Sequence, residues 1–127
     1  MANKIFIIED DANLLAGLQA KFRVEGFSVI TDFGFKSEDI FKKIIDLKPN
    51  YIILDLILPR IDGFQLLADL KGNQETASLP VFVFTNLSDE DSRSRCQNLG
   101  ADYYLVKAEF PLDNFVAKVK KIIANRR

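Results

Sequence analysis

Histidine is absent from the 127-residue chain, and cysteine occurs only once, as Cys96. Without histidine, the chain cannot build a histidine-based catalytic triad or use a histidine general base. A single cysteine cannot form an internal disulfide, which suits a reducing cytoplasm, and it nearly excludes a structural zinc site. Any chemistry in this chain must therefore depend on carboxylates, hydroxyls and amines.

The chain also lacks an excess of basic residues and a long apolar run. The 17 Lys and Arg residues against 18 Asp and Glu residues give a formal net charge of -1, which argues against nucleic-acid binding. No apolar run approaches the length of a membrane span, and acidic residues follow the amino terminus too closely for a signal-peptide core. We expect a soluble, cytoplasmic protein with one domain over residues 1–127 and no membrane partner.

Five apolar runs rich in Ile, Val, Phe and Tyr predict short strands at 4–8, 27–31, 51–55, 81–85 and 102–106. Apolar residues at helical spacing predict helices at 13–25, 37–47, 63–71, 88–99 and 112–125. Strands that are continuously hydrophobic and alternate with helices indicate a parallel sheet covered on both faces. The predicted fold is α/β, a doubly wound (βα)5 three-layer sandwich of the flavodoxin-like type, with strand order 2-1-3-4-5.

Residues near the helix ends support these boundaries. Gly26 and Gly100 each lie just past a predicted helix, where a residue in the left-handed conformation commonly ends it. The sequence SDED, from Ser88 to Asp91, predicts a capping box at the start of the fourth helix.

Polar residues stand at the carboxyl ends of four of the five predicted strands. They are Glu9, Asp10 and Asp11 after the first strand, Asp55 at the third, Thr85 and Asn86 at the fourth, and Lys107 after the fifth. In the order 2-1-3-4-5 these four strands are neighbours, so their ends converge where such sheets bind ligands. Clustered carboxylates repel one another, and Mg2+ is the divalent cation that best relieves this repulsion. A carboxylate, a cation, a hydroxyl and a lysine are the groups that phosphoryl transfer needs, with an aspartyl phosphate as the product.

Four motifs in order and at typical spacing resemble the receiver domain of two-component response regulators, of the chemotaxis-protein type. They are IIEDD (7–11), ILDLILPRIDG (53–63), FVFTN (82–86) and ADYYLVK (101–107), and the resemblance covers essentially the entire chain. It implies that Asp55 is the phosphoacceptor, that Thr85 is the switch hydroxyl and that Lys107 pairs with the phosphoryl oxygens. Tyr104 matches the aromatic switch, although the adjacent Tyr103 leaves this assignment open.

The resemblance also implies the ligands of a Mg2+ ion. Asp10 and Asp55 would bind the ion directly, Glu9 through water, and Ile57 through its backbone carbonyl. Asp11 is interpreted as the cap of the first helix rather than as a ligand.

The function implied is that of a phosphorylation-dependent switch. A histidine kinase or histidine phosphotransfer protein donates to Asp55, and the surface of the fourth helix, fifth strand and fifth helix changes toward a downstream target or a fused output domain. Such a domain catalyses only its own phosphorylation and dephosphorylation, so it is not an enzyme in the usual sense. We expect it to be a monomer or a phosphorylation-dependent dimer. The alternatives are a phosphorylation-independent interaction module and, less well supported, a phosphohydrolase, which would place a second Asp where Ile57 stands.

The sequence differs from the family pattern at three points, and each difference leads to an expectation about the site. Ala108 replaces the usual proline after the lysine, which raises the question of whether the preceding peptide bond is trans. Asn86 replaces a small residue and could crowd Asp55 or donate to the phosphoryl group. Ile57 and Leu87 are apolar at the two positions that flank the path of hydrolytic water in the family, so we expect a long-lived phosphoryl group.

Overall fold

Five strands and five helices alternate along the chain in the computed structural model, which describes residues 3–126. The strands are β1 (Lys4–Ile8), β2 (Ser28–Asp32), β3 (Tyr51–Leu54), β4 (Val81–Thr85) and β5 (Tyr103–Val106). The helices are α1 (Ala12–Val24), α2 (Ser37–Leu47), α3 (Gly63–Gly72), α4 (Glu90–Leu99) and α5 (Leu112–Asn125), and a short 3-10 helix, Lys107–Glu109, follows β5. None of the helices in residues 3–126 is both long and apolar enough to cross a membrane.

The five strands form one parallel sheet with the order β2-β1-β3-β4-β5, which confirms the predicted flavodoxin-like topology. The register aligns the strand ends: Ile8 pairs with Leu54, and Leu54 pairs with Val83. Thr85, at the end of β4, pairs with Val106 at the end of β5. The residues that follow β1, β3, β4 and β5 therefore emerge at one edge of the sheet.

Two hydrophobic cores lie on the two faces of the sheet, because successive side chains of a strand point to opposite faces. Phe6 and Ile8 of β1 contribute to the core beneath α2, α3 and α4, whereas Ile5 and Ile7 contribute to the core beneath α1 and α5. The second core is rich in aromatic rings, with Phe84 and Phe115 stacked at 3.7 Å between ring centroids. Burial on both faces explains why the central strands β1, β3 and β4 are almost continuously apolar, whereas the edge strand β2 is only partly buried.

The observed helix ends agree with the predicted ones except at the start of α4. Gly26 and Gly100 follow α1 and α4 with φ of +94° and +100°, as predicted. The predicted capping box at Ser88 is wrong, because α4 begins at Glu90 and Asp89 caps it by accepting the Ser92 N–H at 3.0 Å. A carboxylate is the stronger acceptor at the positive end of a helix, which favours Asp89 over the preceding hydroxyl.

Candidate functional site

The predicted site residues reach the same sheet edge from different strands. Glu9 and Asp10 directly follow β1, Asp55 follows β3, and Lys107 follows β5. Because β4 lies between β3 and β5, the Lys107 side chain has to extend past the end of β4 to reach Asp55. Its Nζ lies 6.0 Å from the ring centroid of Phe84, on β4. The strand order thus determines which side chains can meet.

Lys107 forms ion pairs with two buried carboxylates. Its Nζ lies 2.8 Å from Asp55 Oδ2 and 2.7 Å from Glu9 Oε1. Asp55 is 5% exposed and Glu9 is 2% exposed, so solvent screens these contacts little. The sequence predicted that Lys107 lies beside Asp55 and keeps it ionised, but it did not predict the contact with Glu9.

The three charges shift the pKa values of Glu9 and Lys107. Burial raises the pKa of Glu9 above its ordinary value of 4.5, and the hydrogen bonds from Lys107 and the Asp11 N–H only partly offset this. For Lys107, burial acts to lower the pKa, but the hydrogen bonds to Asp55 and Glu9 outweigh it and leave the pKa raised. Lys107 is therefore fully protonated at neutral pH and holds the carboxylates together.

The carboxylates of Glu9, Asp10 and Asp55 form an acidic cluster. One oxygen of each residue lies within 4.8 Å of those of both the others, and Asp10 is exposed, so the cluster opens to solvent. One ammonium group leaves two of the three carboxylate charges uncompensated. A cluster with only oxygen donors suits a hard divalent cation such as Mg2+. These three residues would hold such an ion.

Backbone groups orient the carboxylates of this cluster. The Asp11 N–H donates to Glu9 Oε2 at 3.0 Å, while the Asp11 side chain accepts from the N–H groups of Asn13 and Leu14 and so caps α1, as predicted. The Ile57 N–H donates to Asp55 Oδ1 at 3.2 Å, which places the main chain of residue 57 beside the carboxylate. The role of the Ile57 carbonyl as a metal ligand stays a prediction.

The loop after Asp55 folds back tightly on the end of β3. The Gly63 N–H donates to the Leu56 carbonyl at 3.2 Å, and Ile57 and Asp62 form an isolated antiparallel bridge. A Cβ atom at residue 63 would lie 2.4 Å from both Cα and O of Leu56. Glycine is therefore required where α3 begins, and this close approach fixes the course of the loop beside the acidic cluster.

The two switch candidates are linked through the main chain of Leu87. Thr85 is fully buried at the end of β4, and its Oγ1 accepts the Leu87 N–H at 3.4 Å. Tyr104 donates its hydroxyl to the Leu87 carbonyl at 2.7 Å. In contrast, Tyr103 stacks on Phe82 and belongs to the opposite core, so of these two tyrosines only Tyr104 contacts the loop after Thr85.

The structure also shows the residues that depart from the family pattern. The Lys107–Ala108 peptide bond is trans, and Ala108 lies in the 3-10 helix that follows β5. Asn86 is exposed, and Thr85 makes no hydrogen bond to the acidic cluster among residues 3–126. The Leu87 contacts were missed at the sequence level because sequence patterns do not show where the main chain of a loop points.

Comparisons with known proteins agree with this geometry. The family model of the response regulator receiver domain matches residues 5–120. The chain is 31% identical over 105 residues to protein PilG of Pseudomonas aeruginosa, covering 82% of this chain and 76% of PilG. It is 31% identical over 123 residues to the transcriptional regulatory protein PrrA of Mycobacterium leprae, covering 97% of this chain and 51% of PrrA. The chain thus spans about half the length of such transcriptional regulators.

Solved structures share the fold over nearly the whole chain. The BeF3-activated N-terminal receiver domain of Klebsiella pneumoniae RstA is 25% identical, with a TM-score of 0.81 over 94% of this chain and 97% of that chain. The chemotaxis response regulator CheY4 of Vibrio cholerae is 16% identical and shows the same fold, with a TM-score of 0.84 over 96% of this chain and 99% of that chain. With the family match over residues 5–120, the chain belongs to the response regulator receiver domain family.

Proposed function

We propose that the chain receives a phosphoryl group on Asp55 from a histidine of a partner protein in a Mg2+-dependent reaction. The observation that carries the proposal is the contact of Lys107 with both Asp55 and Glu9 inside the acidic cluster. An Asp55 carboxylate oxygen attacks phosphorus, and the new O–P bond forms as the P–N bond to the donor histidine breaks. The electron pair of that bond stays on the donor nitrogen. The donor histidine must come from a partner, since this chain contains none.

The other residues of the site have supporting roles in this proposal. Glu9, Asp10 and Asp55 hold the cation, with the Ile57 carbonyl as a further ligand, and the cation supplies positive charge to the phosphoryl oxygens when it is bound. Lys107 already lies at hydrogen-bond distance from Asp55 and pairs with a phosphoryl oxygen after transfer. The domain carries out one transfer and its later hydrolysis, so it acts as a signalling domain rather than as a multiple-turnover enzyme.

Phosphorylation would then change the surface formed by α4, β5 and α5. Thr85 and Tyr104 both form hydrogen bonds with the main chain of Leu87. A movement of the Thr85 hydroxyl toward the phosphoryl group would therefore shift Leu87 and change the contact of Tyr104. The donor is a histidine kinase or histidine phosphotransfer protein, and the receiver of the signal is a downstream protein or a fused output domain. The similar receiver domain of RstA has a BeF3-activated form, which supports an activated state of this chain as well. The cytoplasmic location and a phosphorylation-dependent dimer stay predictions.

Intact-mass measurement after incubation with Mg2+ and a small acyl phosphate tests this function. The wild-type chain should gain one phosphoryl group, and Asp55→Asn should gain none. Asp62→Asn is the matched control, because it changes a carboxylate in the same loop to a side chain that still caps α3. Chelation of Mg2+ should suppress the adduct.

Other outcomes would identify a different function. Release of many phosphates per chain would indicate a hydrolase, and the absence of any adduct at saturating donor would indicate an interaction module that works without phosphorylation. After the donor is removed, the adduct should persist, because Ile57 and Leu87 are apolar at the two positions that flank the path of hydrolytic water in this family. Rapid loss of the label with Mg2+ present would contradict the long phosphoryl lifetime.

A further inference from the structure

The guanidinium group of Arg93, on α4, lies over the ring of Tyr104, on β5. Its Cζ is 4.8 Å from the ring centroid, which is within the range of a cation–π contact. Among the ion pairs of residues 3–126, none involves Arg93. The aromatic ring is thus the partner that this charge has in the structure.

The Tyr104 ring is also held from its hydroxyl end. The hydroxyl donates to the Leu87 carbonyl at 2.7 Å, and the ring packs against the core beneath α2, α3 and α4. Burial raises the pKa of Tyr104 to about 12, as expected for a phenol removed from water. Arg93 contacts a ring that is already held by the β4–α4 loop and packed against this core.

We propose that Arg93 is a positioning residue that keeps Tyr104 packed against the β4–α4 loop, and that it thereby sets how readily Asp55 is phosphorylated. The effect on phosphorylation rests on the proposed function of Asp55, whereas the positioning of Tyr104 does not. Arg93 touches neither the acidic cluster nor a phosphoryl group, so it acts only through Tyr104. Removal of the guanidinium should lower the ratio of packed to exposed Tyr104 by about two- to fivefold.

The effect on phosphorylation follows from linkage. If the phosphorylated state favours packed Tyr104, then any change that disfavours packed Tyr104 must disfavour phosphorylation, by at most the same factor. The path runs from Arg93 to the Tyr104 ring, then through the main chain of Leu87 to Thr85. We therefore expect Arg93→Gln to lower the phosphorylated fraction at a subsaturating acyl phosphate concentration.

The first test is NMR of the unphosphorylated chain with tyrosine labelled with 13C in the ring. The chain has three tyrosines, and Tyr104→Phe identifies the Tyr104 signal. In Arg93→Gln the Tyr104 signal should move toward the position of an exposed tyrosine, and Arg93→Lys should restore part of the shift. Arg95→Gln is the matched control, because it removes a second arginine of α4 that lies over another ring, that of Phe64, at 4.1 Å.

The second test is the phosphorylated fraction with Mg2+ and a small acyl phosphate. Arg93→Gln should lower the ratio of phosphorylated to unphosphorylated chain by a factor of at most about two to five. Arg95→Gln should leave the ratio unchanged, and Arg93→Gln should have no further effect in a Tyr104→Leu background. That last comparison separates action through Tyr104 from a general loss of structure.

The outcomes separate the two halves of the proposal. An unchanged Tyr104 signal in Arg93→Gln overturns the positioning role, whatever the phosphorylation result. Equal effects of Arg93→Gln in the wild-type and Tyr104→Leu backgrounds overturn the action through Tyr104. If the wild-type chain accepts no phosphoryl group, the proposed function and the effect of Arg93 on phosphorylation fail together. The NMR result still decides whether Arg93 positions Tyr104.

Discussion

Lys107 places one positive charge between two buried carboxylates that would otherwise repel each other. Its Nζ contacts Asp55 and Glu9 at 2.8 and 2.7 Å, and both acids belong to the cluster that fits a divalent cation. Burial of charged groups costs free energy unless each is paired and hydrogen-bonded. Lys107 therefore offsets part of the cost of burying these carboxylates, and the cluster retains negative charge that can attract a cation.

The raised pKa of Glu9 predicts a pH dependence of the metal-free protein. A carboxyl group whose pKa is higher in the folded chain favours the neutral form there, so its contribution to stability is complete below about pH 4.5 and is lost as pH rises through the folded pKa. In EDTA, the free energy of unfolding of the wild type relative to Glu9→Gln should therefore fall between pH 4.5 and pH 7. Urea unfolding at several pH values measures this difference.

Glu38→Gln is the control for that series, because Glu38 is exposed in the first turn of α2, away from the cluster. The difference in free energy of unfolding between the wild type and Glu38→Gln should change less over this pH range than the difference between the wild type and Glu9→Gln. A difference between the wild type and Glu9→Gln that stays constant from pH 4.5 to pH 7 would contradict the raised pKa.

At the scale of elements, the start of α3 depends on a close approach of two backbone segments. The Gly63 N–H donates to the Leu56 carbonyl, and Asp62 caps the helix by accepting the Phe64 N–H at 3.0 Å. The loop from Asp55 to Gly63 carries both the proposed phosphoacceptor and Ile57. Its course therefore matters for the site as well as for the helix.

Gly63→Ala should destabilise the protein by more than about 3 kcal/mol, because the added Cβ would meet Leu56 backbone atoms that cannot rotate away. Gly72→Ala, at the other end of α3, has nothing within 4 Å of its Cβ and should be neutral or stabilise by up to about 1 kcal/mol. Thermal or urea unfolding compares the two variants. Similar stability of the two variants would show that the loop can relax around a methyl group.

For the molecule as a whole, a cation bound at the acidic cluster would couple metal binding to folding. Its members come from the ends of β1 and β3, so the cluster exists only when these strands are paired. A ligand that binds only the folded chain stabilises it by mass action. The free energy of unfolding should therefore depend on the concentration of Mg2+.

Mg2+ at ten times its dissociation constant should stabilise the wild type by about 1.4 kcal/mol, or roughly 4 to 7 °C in Tm. Asp10→Asn should lose most of this gain, because it removes an exposed ligand without disturbing the core. Asp46→Asn, an exposed acid on α2, should respond to Mg2+ as the wild type does. Equal stabilisation of Asp10→Asn and Asp46→Asn would place the cation elsewhere.

The fold was predictable from the sequence because its signals are local and repeated. The central strands are apolar almost without interruption, and every helix except α4 has two or more buried apolar residues on one face. The type and order of the elements therefore follow from the pattern. Differences at the element ends are small, and the largest is at α4, where Asp89 rather than Ser88 forms the cap. That choice depends on competition between neighbouring acceptors, which a residue pattern does not rank.

The apolar pattern was enough to predict the parallel sandwich and the strand ends at which Glu9, Asp10, Asp55, Thr85 and Lys107 lie, because the carboxyl ends of parallel strands share one edge. The folded structure was needed to show that Lys107 binds Glu9 as well as Asp55, and that Tyr104 rather than Tyr103 contacts the main chain of Leu87. These contacts join residues far apart in the chain. They depend on side-chain directions and loop courses that are fixed only when the sheet and both cores are packed together.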